Sequence, residues 1–373
     1  MRIRWFLLAL CCCLTVVQKH SLSAQTPVAL NEATPVDPVT AVLNAFHTHR
    51  LVALDEGDHN NLQGYQFRMA LIHNPQFAGL VNDIVVEAGN SLYQDVMDKF
   101  VAGEDVPYDS LRRVWQDTTQ PSDVWDKPVY EEFYRSVRAL NSGLPRERRL
   151  RVLLGDPPID WAKVHSISDL TAGNLGSRDS VPVEIIRREV LAKSRRALIV
   201  YGGMHLQRHD YAHNYEPGDG IVEVLERNAP GSVFSIWTNT FFDLQAVLPG
   251  AASWPNPSLA ILKGTALGAL DFSTYYTSTL YVRDKDGKIN AFKPTRNLRM
   301  EEQFDAILYI GPKSSITYSS LSPELCSDQT YLAMRAARRQ LFAGLAAPAQ
   351  GSVAPKKCEN IFAHGWQESP NNR

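Results

Sequence analysis

The sequence of this 373-residue chain predicts an α/β fold: a mostly parallel sheet flanked by helices, with a helical insertion and a late β-hairpin. Three observations predict it. Short apolar runs rich in β-branched residues alternate with helix-like segments, which is the pattern of parallel strands buried on both faces. A long amphipathic stretch separates the second run from the third. Late in the chain, the turn-rich spacer Asp284-Lys285-Asp286-Gly287 stands between two strand-like runs, as a hairpin requires.

The strand-like runs occupy residues 51–54, 84–86, 150–154, 197–201 and 233–237. Residues 61–73 predict a helix that carries Arg68 and buries Leu62, Tyr65, Met69 and Ile72. In the insertion Asp126 is the expected N-cap, Pro128 falls in the first turn, Val129, Phe133, Val137 and Leu140 form one apolar stripe, and Gly143 ends the helix. A further helix is expected over 182–196. After Pro249 the runs 279–282 and 288–292 predict the hairpin, and 304–310 a late strand that rejoins the sheet. These elements compose one α/β domain over 25–312, followed by a partly low-complexity tail over 313–373.

The first residues predict export. Met1-Arg2-Ile3-Arg4 precedes an apolar run from Trp5 to Val17, and a polar stretch closes on Ser21-Leu22-Ser23-Ala24, so 1–24 reads as a signal peptide cleaved after Ala24. That run is shorter than the roughly 20 residues a membrane-crossing helix needs, so no retained membrane span is expected and the mature protein is periplasmic or secreted. The bulky Leu10 directly before Cys11 argues against lipoprotein processing. Loss of Arg2, Arg4 and Lys19 leaves 35 basic against 40 acidic residues, a formal charge of −5, with no clustered positive charge to suggest a nucleic-acid partner. Cys326 and Cys358 then remain, a pair that in an exported chain predicts a disulfide tying the tail to the body; the alternative is two unpaired thiols.

In open parallel sheets ligands bind beyond the carboxyl ends of the strands. Those ends carry Asp55-Glu56-Gly57-Asp58-His59, Glu87-Ala88-Gly89-Asn90, Gly155-Asp156-Pro157-Pro158 and Gly202-Gly203-Met204-His205. Each taken alone has a bland reading: His59 as a surface histidine, Glu87 as half of a structural salt bridge, His205 as a helix cap, Arg68 as a helix-surface ion pair. Together they bring acids, histidines and glycines to one rim. Two chemistries suit such a set. His59, oriented by Glu56 or Glu87, is a candidate general base on water; alternatively His59, Glu87 and His205 hold a divalent metal with one position open for water. Arg68, as a cation near these acids, suits a substrate carbonyl or phosphate. His205, His209 and His213 also recur every four residues, a weaker metal-binding pattern.

The segment 51–59, the helix with Arg68, and Val85-Val86-Glu87 resemble the erythromycin esterase-like family and its wider ChaN-like superfamily. Residues 199–205 resemble that group's second histidine motif, and 304–310 its terminal strand. The resemblance implies a hydrolase in which Glu56 and His59 activate water to open an ester, with Glu87, Arg68 and His205 on further matching positions. The family pattern has glycine before the glutamate and after the histidine, where this chain has Asp55 and Asn60. The reading favoured is an exported hydrolase acting on an ester or related acyl bond of a small-molecule substrate, with no cofactor required. The alternatives are a ChaN-like protein that holds haem or a metal without turnover, and a protein that keeps the fold with a decayed site.

Overall fold

The computed structural model describes residues 30–342 apart from 167, 170–174, 210–219, 228, 241, 273–280, 284–288 and 292–297. The expected signal peptide, the end of the tail, His213 and Cys358 lie outside the described residues, so the disulfide expectation has only Cys326 within view, in the short helix Pro323–Ser327. Among the described residues no helix is long and apolar enough to cross a membrane.

Seven strands form one sheet in the order β3, β2, β4, β1, β5, β9, β6. They are β1 (Leu51–Asp55), β2 (Asp83–Asn90), β3 (Arg151–Asp156), β4 (Ala197–Tyr201), β5 (Val233–Thr238), β6 (Ser258–Ile261) and β9 (Ala306–Tyr309). All pairings are parallel except that of β6 with β9. The late hairpin is present as β7 (Tyr281–Arg283) paired antiparallel with β8 (Ile289–Ala291). The expected late strand does rejoin the sheet, between β5 and the edge strand β6.

Burial explains the unbroken apolar runs. In β1, Val52 and Leu54 pack into the core on one face of the sheet while Leu51 and Ala53 pack into the core on the other. In β4, Leu198 and Val200 are divided from Ala197, Ile199 and Tyr201 in the same way. With both faces covered, alternation in hydropathy disappears from the sequence.

The insertion helix runs Pro128–Ser142, with Pro128 in its first turn and Gly143 after its last. Val129, Phe133 and Val137 are buried as expected, joined by Tyr130 and Tyr134. The expected cap is corrected: Lys127 occupies the N-cap without a side-chain bond, because the carboxylate of Asp126 is taken by Arg335 and Tyr331 from the end of the chain. A charged bidentate pair outcompetes a single backbone N–H. The helix expected over 182–196 is Ser180–Ile185 running on into a wider π turn, Ile186–Leu191.

Candidate active site

The first rim segment is held by its own side chains. Asp55, at the end of β1, accepts hydrogen bonds from the N–H of Gly57 (2.7 Å) and of Thr238 (3.0 Å). Asn61 caps the helix Leu62–Ile72 by accepting from Gly64 N–H, and its amide donates to the carbonyls of Glu56 and Asp58, each at 2.6 Å. A β-carbon on Gly64 would come 2.5 Å from the Asn61 side-chain oxygen, so this cap needs glycine there. The turn between them passes through Asn60 at φ 70°, the left-handed region that glycine and asparagine tolerate best. The two departures from the family pattern are therefore accommodated: Asp55 closes the turn, and Asn60 adopts the conformation a glycine would. Asn60→Gly is expected to leave thermal stability nearly unchanged, whereas Asn60→Val is expected to cost about 1–3 kcal/mol in urea unfolding.

This turn aims His59 back at the strand end. Its Nδ1–H donates to Glu56 Oε1 at 2.7 Å; the His59 side chain is 32% exposed, that of Glu56 only 3%. The Trp125 ring packs edgewise on the imidazole, with centroids 4.6 Å apart. Burial pulls the His59 pKa down, but the charge and hydrogen bond of Glu56 outweigh it, and the net direction is upward. On the far side of Glu56 lie Arg68, 3.8 Å from Oε2, and the Tyr130 hydroxyl at 3.4 Å. Arg68 is 5% exposed, so the helix-surface reading is corrected: the guanidinium is in the interior.

Glu87, in β2, is 2% exposed and reaches across to β4. Its Oε2 accepts from Gly202 N–H at 2.9 Å, and its Oε1 meets Arg178 and stands 3.4 Å from His205 Nε2. Burial alone would raise its pKa, but Arg178 and His205 together hold it well below the usual carboxylate range. The glycines of the second histidine motif have a steric reason. A β-carbon on Gly202 would sit 3.3 Å from the His59 ring and 3.5 Å from Glu87 Oε2, and one on Gly203 would sit 2.9 Å from the Asp55 carboxylate. The close backbone approach is thus to the site's own side chains.

His205 differs in kind from His59. Its Nδ1–H donates to Asp179 Oδ1 at 2.7 Å. Against the pull of burial, Asp179 and Glu87 raise its pKa to about 10, so it is an imidazolium at neutral pH. A doubly protonated ring has no lone pair to offer a cation, and the ligand atoms that cluster among the described residues are those of Glu56, His59 and Glu87. The helical histidine row fails: His205 lies in a short 3₁₀ turn, Gly203–Leu206, Gln207 is extended and His209 is exposed.

Glu56, His59 and Glu87 each place one ligand atom within 4.8 Å of the others, a spread that a divalent cation could bridge. Glu87 already faces Arg178 and His205, so a cation there would stand against two positive groups. The protein's own cations serve the carboxylates. Arg178 escaped the sequence reading: it lies just before the helix Ser180–Ile185, far in sequence from the acids it joins, Glu87 and Asp156 (3.6 Å). Tyr130 was hidden by its neighbours, since it sits one position beyond the apolar stripe.

Beside Glu56 a small cavity of about 20 Å³ is lined by Glu56, Arg68, Glu87, Tyr130, Phe133 and Tyr134, with Ala88 and three valines completing the wall. That is space for one water. The fold and this rim together define an α/β protein with a histidine–carboxylate pair and two arginine counter-cations, Arg68 buried and Arg178 partly exposed, at the carboxyl ends of a parallel sheet.

No family model matches the sequence, and no curated protein does. Solved structures share the fold. A Bacillus cereus protein matches with TM-score 0.52 at 9% identity, over 78% of this chain and 97% of that one. A succinoglycan biosynthesis protein matches with TM-score 0.50 at 9% identity, over 78% and 96%. A mutant erythromycin esterase in its open conformation gives TM-score 0.46 at 12% identity, over 76% and 94%. At these identities the likeness is one of fold alone.

Proposed function

We propose that this protein is an exported hydrolase that cleaves an ester or related acyl bond of a small molecule with a water activated at His59. The observation that carries the reading is the Glu56–His59 pair: Glu56 holds the Nδ1 proton, which leaves Nε2 as the proton acceptor of a ring that is 32% exposed. Nε2 takes a proton from water as its oxygen bonds to the acyl carbon. The resulting imidazolium returns that proton to the leaving alkoxide. His205, cationic at neutral pH, serves as an electrostatic partner for the developing oxyanion rather than as a second base. Arg68 and Tyr130 fix Glu56 from behind.

The convergence of Glu56, His59 and Glu87 at the rim favours this reading over haem binding, which calls for an axial ligand in an apolar slot without a carboxylate cluster. The signal-like 1–24 and the motif resemblance support export and esterase chemistry respectively.

The test is hydrolysis of a panel of aryl esters and lactones by the purified mature protein, with and without chelator, beside His59→Ala. Activity that survives chelator and is lost in the variant is the expected result. Loss on chelation would transfer the case to a metallohydrolase, and no turnover across the panel would overturn the hydrolase reading.

A further inference from the structure

We propose that the C-terminal helix Gln329–Phe342 is a positioning element of this site, acting through Arg335 and Arg338 on the segment 116–126; the proposal rests on His59 being the working base. Arg335 and Arg338 are 1% and 8% exposed, unusual burial for two cations on the last described helix. Arg335 clamps Asp126, with Nε 2.8 Å from Oδ2 and Nη2 2.5 Å from Oδ1, and the Tyr331 hydroxyl donates to the same carboxylate. The preceding residue is Trp125, itself 1% exposed and packed on His59 and, at 5.0 Å between centroids, on Tyr130.

Arg338 grips the other end of the segment. It donates to the Gln116 carbonyl at 2.7 Å and to Asp117 Oδ1 at 2.6 Å, and lies 4.4 Å over the Trp161 ring. The indole N–H of Trp161 donates to the Thr118 carbonyl. Thr119 then donates twice to Asp156, by backbone and hydroxyl at 2.6 Å each, and Asp156 backs the Arg178 that holds Glu87. One helix thus seats both halves of the rim, the Trp125–His59 contact and the Arg178–Glu87 pair. Apolar side chains of equal size would pack this interface with less desolvation, whereas paired charges admit one register. Neither arginine reaches the reacting atoms, so both are positioning residues.

The experiment uses the mature protein carrying Tyr331→Phe, the paired change Asp126→Asn with Arg335→Met, and Arg338→Met. Each is first checked for a native circular dichroism spectrum and one cooperative unfolding transition. Turnover is measured on an ester that the parent protein hydrolyses. Tryptophan emission at about pH 5, where an imidazole carries charge and quenches a neighbouring indole, is compared with and without His59→Ala. In the parent, His59→Ala is expected to brighten emission. In folded Asp126/Arg335 variants that brightening is expected to vanish and kcat to fall about 10–100-fold with KM within about threefold. Tyr331→Phe, which keeps the ion pair, is expected to fall between these and the parent. Arg338→Met is expected to lower kcat while leaving the brightening in place, since it acts through Glu87. Folded variants with unchanged kcat and a parental emission response would overturn the proposal. If the parent hydrolyses no ester yet the brightening is still lost in the Asp126/Arg335 variants, the seating stands and the hydrolase reading alone fails.

Discussion

Glu56→Gln is expected to lower kcat/KM for ester hydrolysis by about 10²–10⁴-fold while the protein stays folded. Glutamine keeps the shape of the side chain and can still accept the Nδ1–H of His59 through its amide oxygen, so the ring stays in place. What disappears is the charge that stabilises the imidazolium formed when His59 takes a proton from water. The pH profile separates this cause from simple misfolding. A general base must be neutral to act, so activity rises with pH through the His59 pKa. Burial lowers that pKa and Glu56 more than restores it, the net shift being above the ordinary 6.5. Removing the carboxylate therefore moves the acid limb of residual activity to lower pH. A variant whose limb stays where the parent's lies would show that Glu56 does not govern His59. Arg68 sharpens the expectation, since its guanidinium stands 3.8 Å from Glu56 Oε2 and is left in the interior without that anion.

Most of the sheet was legible because parallel strands buried on both faces advertise themselves as continuous apolar runs; 51–54 and 197–201 needed almost no revision. β6 was not: four residues on an edge, antiparallel, carry too little pattern to stand out from the Pro-rich stretch around them. At the rim the sequence disclosed groups that follow a strand directly, since the chain's own direction takes them there. Glu56, His59, Glu87 and His205 do converge, as this logic requires. The counter-cations were invisible for the opposite reason. Arg178 meets Glu87 across 91 positions and Arg335 meets Asp126 across 209, so no local spacing marks either pair. Asp126 carries a local cap signal, an aspartate two residues before the Pro of a helix's first turn, and only the tertiary partner reveals that its carboxylate is spoken for.

The largest stability effect is expected from Arg178→Met. Glu87 is buried, and with Arg178 gone its charge keeps, among the described residues, His205, His59 and the Gly202 N–H. Breaking a buried pair from one side costs about 3–5 kcal/mol, so the urea midpoint should drop sharply at neutral pH. Adding Glu87→Gln removes the stranded charge and should recover much of the loss; failure to recover would place the defect in packing. The same cluster sets a pH optimum. His205 binds its proton more tightly folded than unfolded, with a pKa near 10 against an ordinary 6.5, so its contribution is full below about pH 6.5 and is lost as pH rises toward 10. Asp55 and Asp156, raised by burial from 3.8 to about 7, also favour the folded state most when protonated and weaken between those values. Glu87 works the other way: lowered in the fold, it contributes above its ordinary 4.5 and loses that contribution as pH falls. The sum is a protein most stable in mildly acidic solution, declining from neutral into alkaline pH. His205→Gln should flatten the decline between about pH 7 and 10, and an unaltered slope in that variant would mean the proton is held elsewhere.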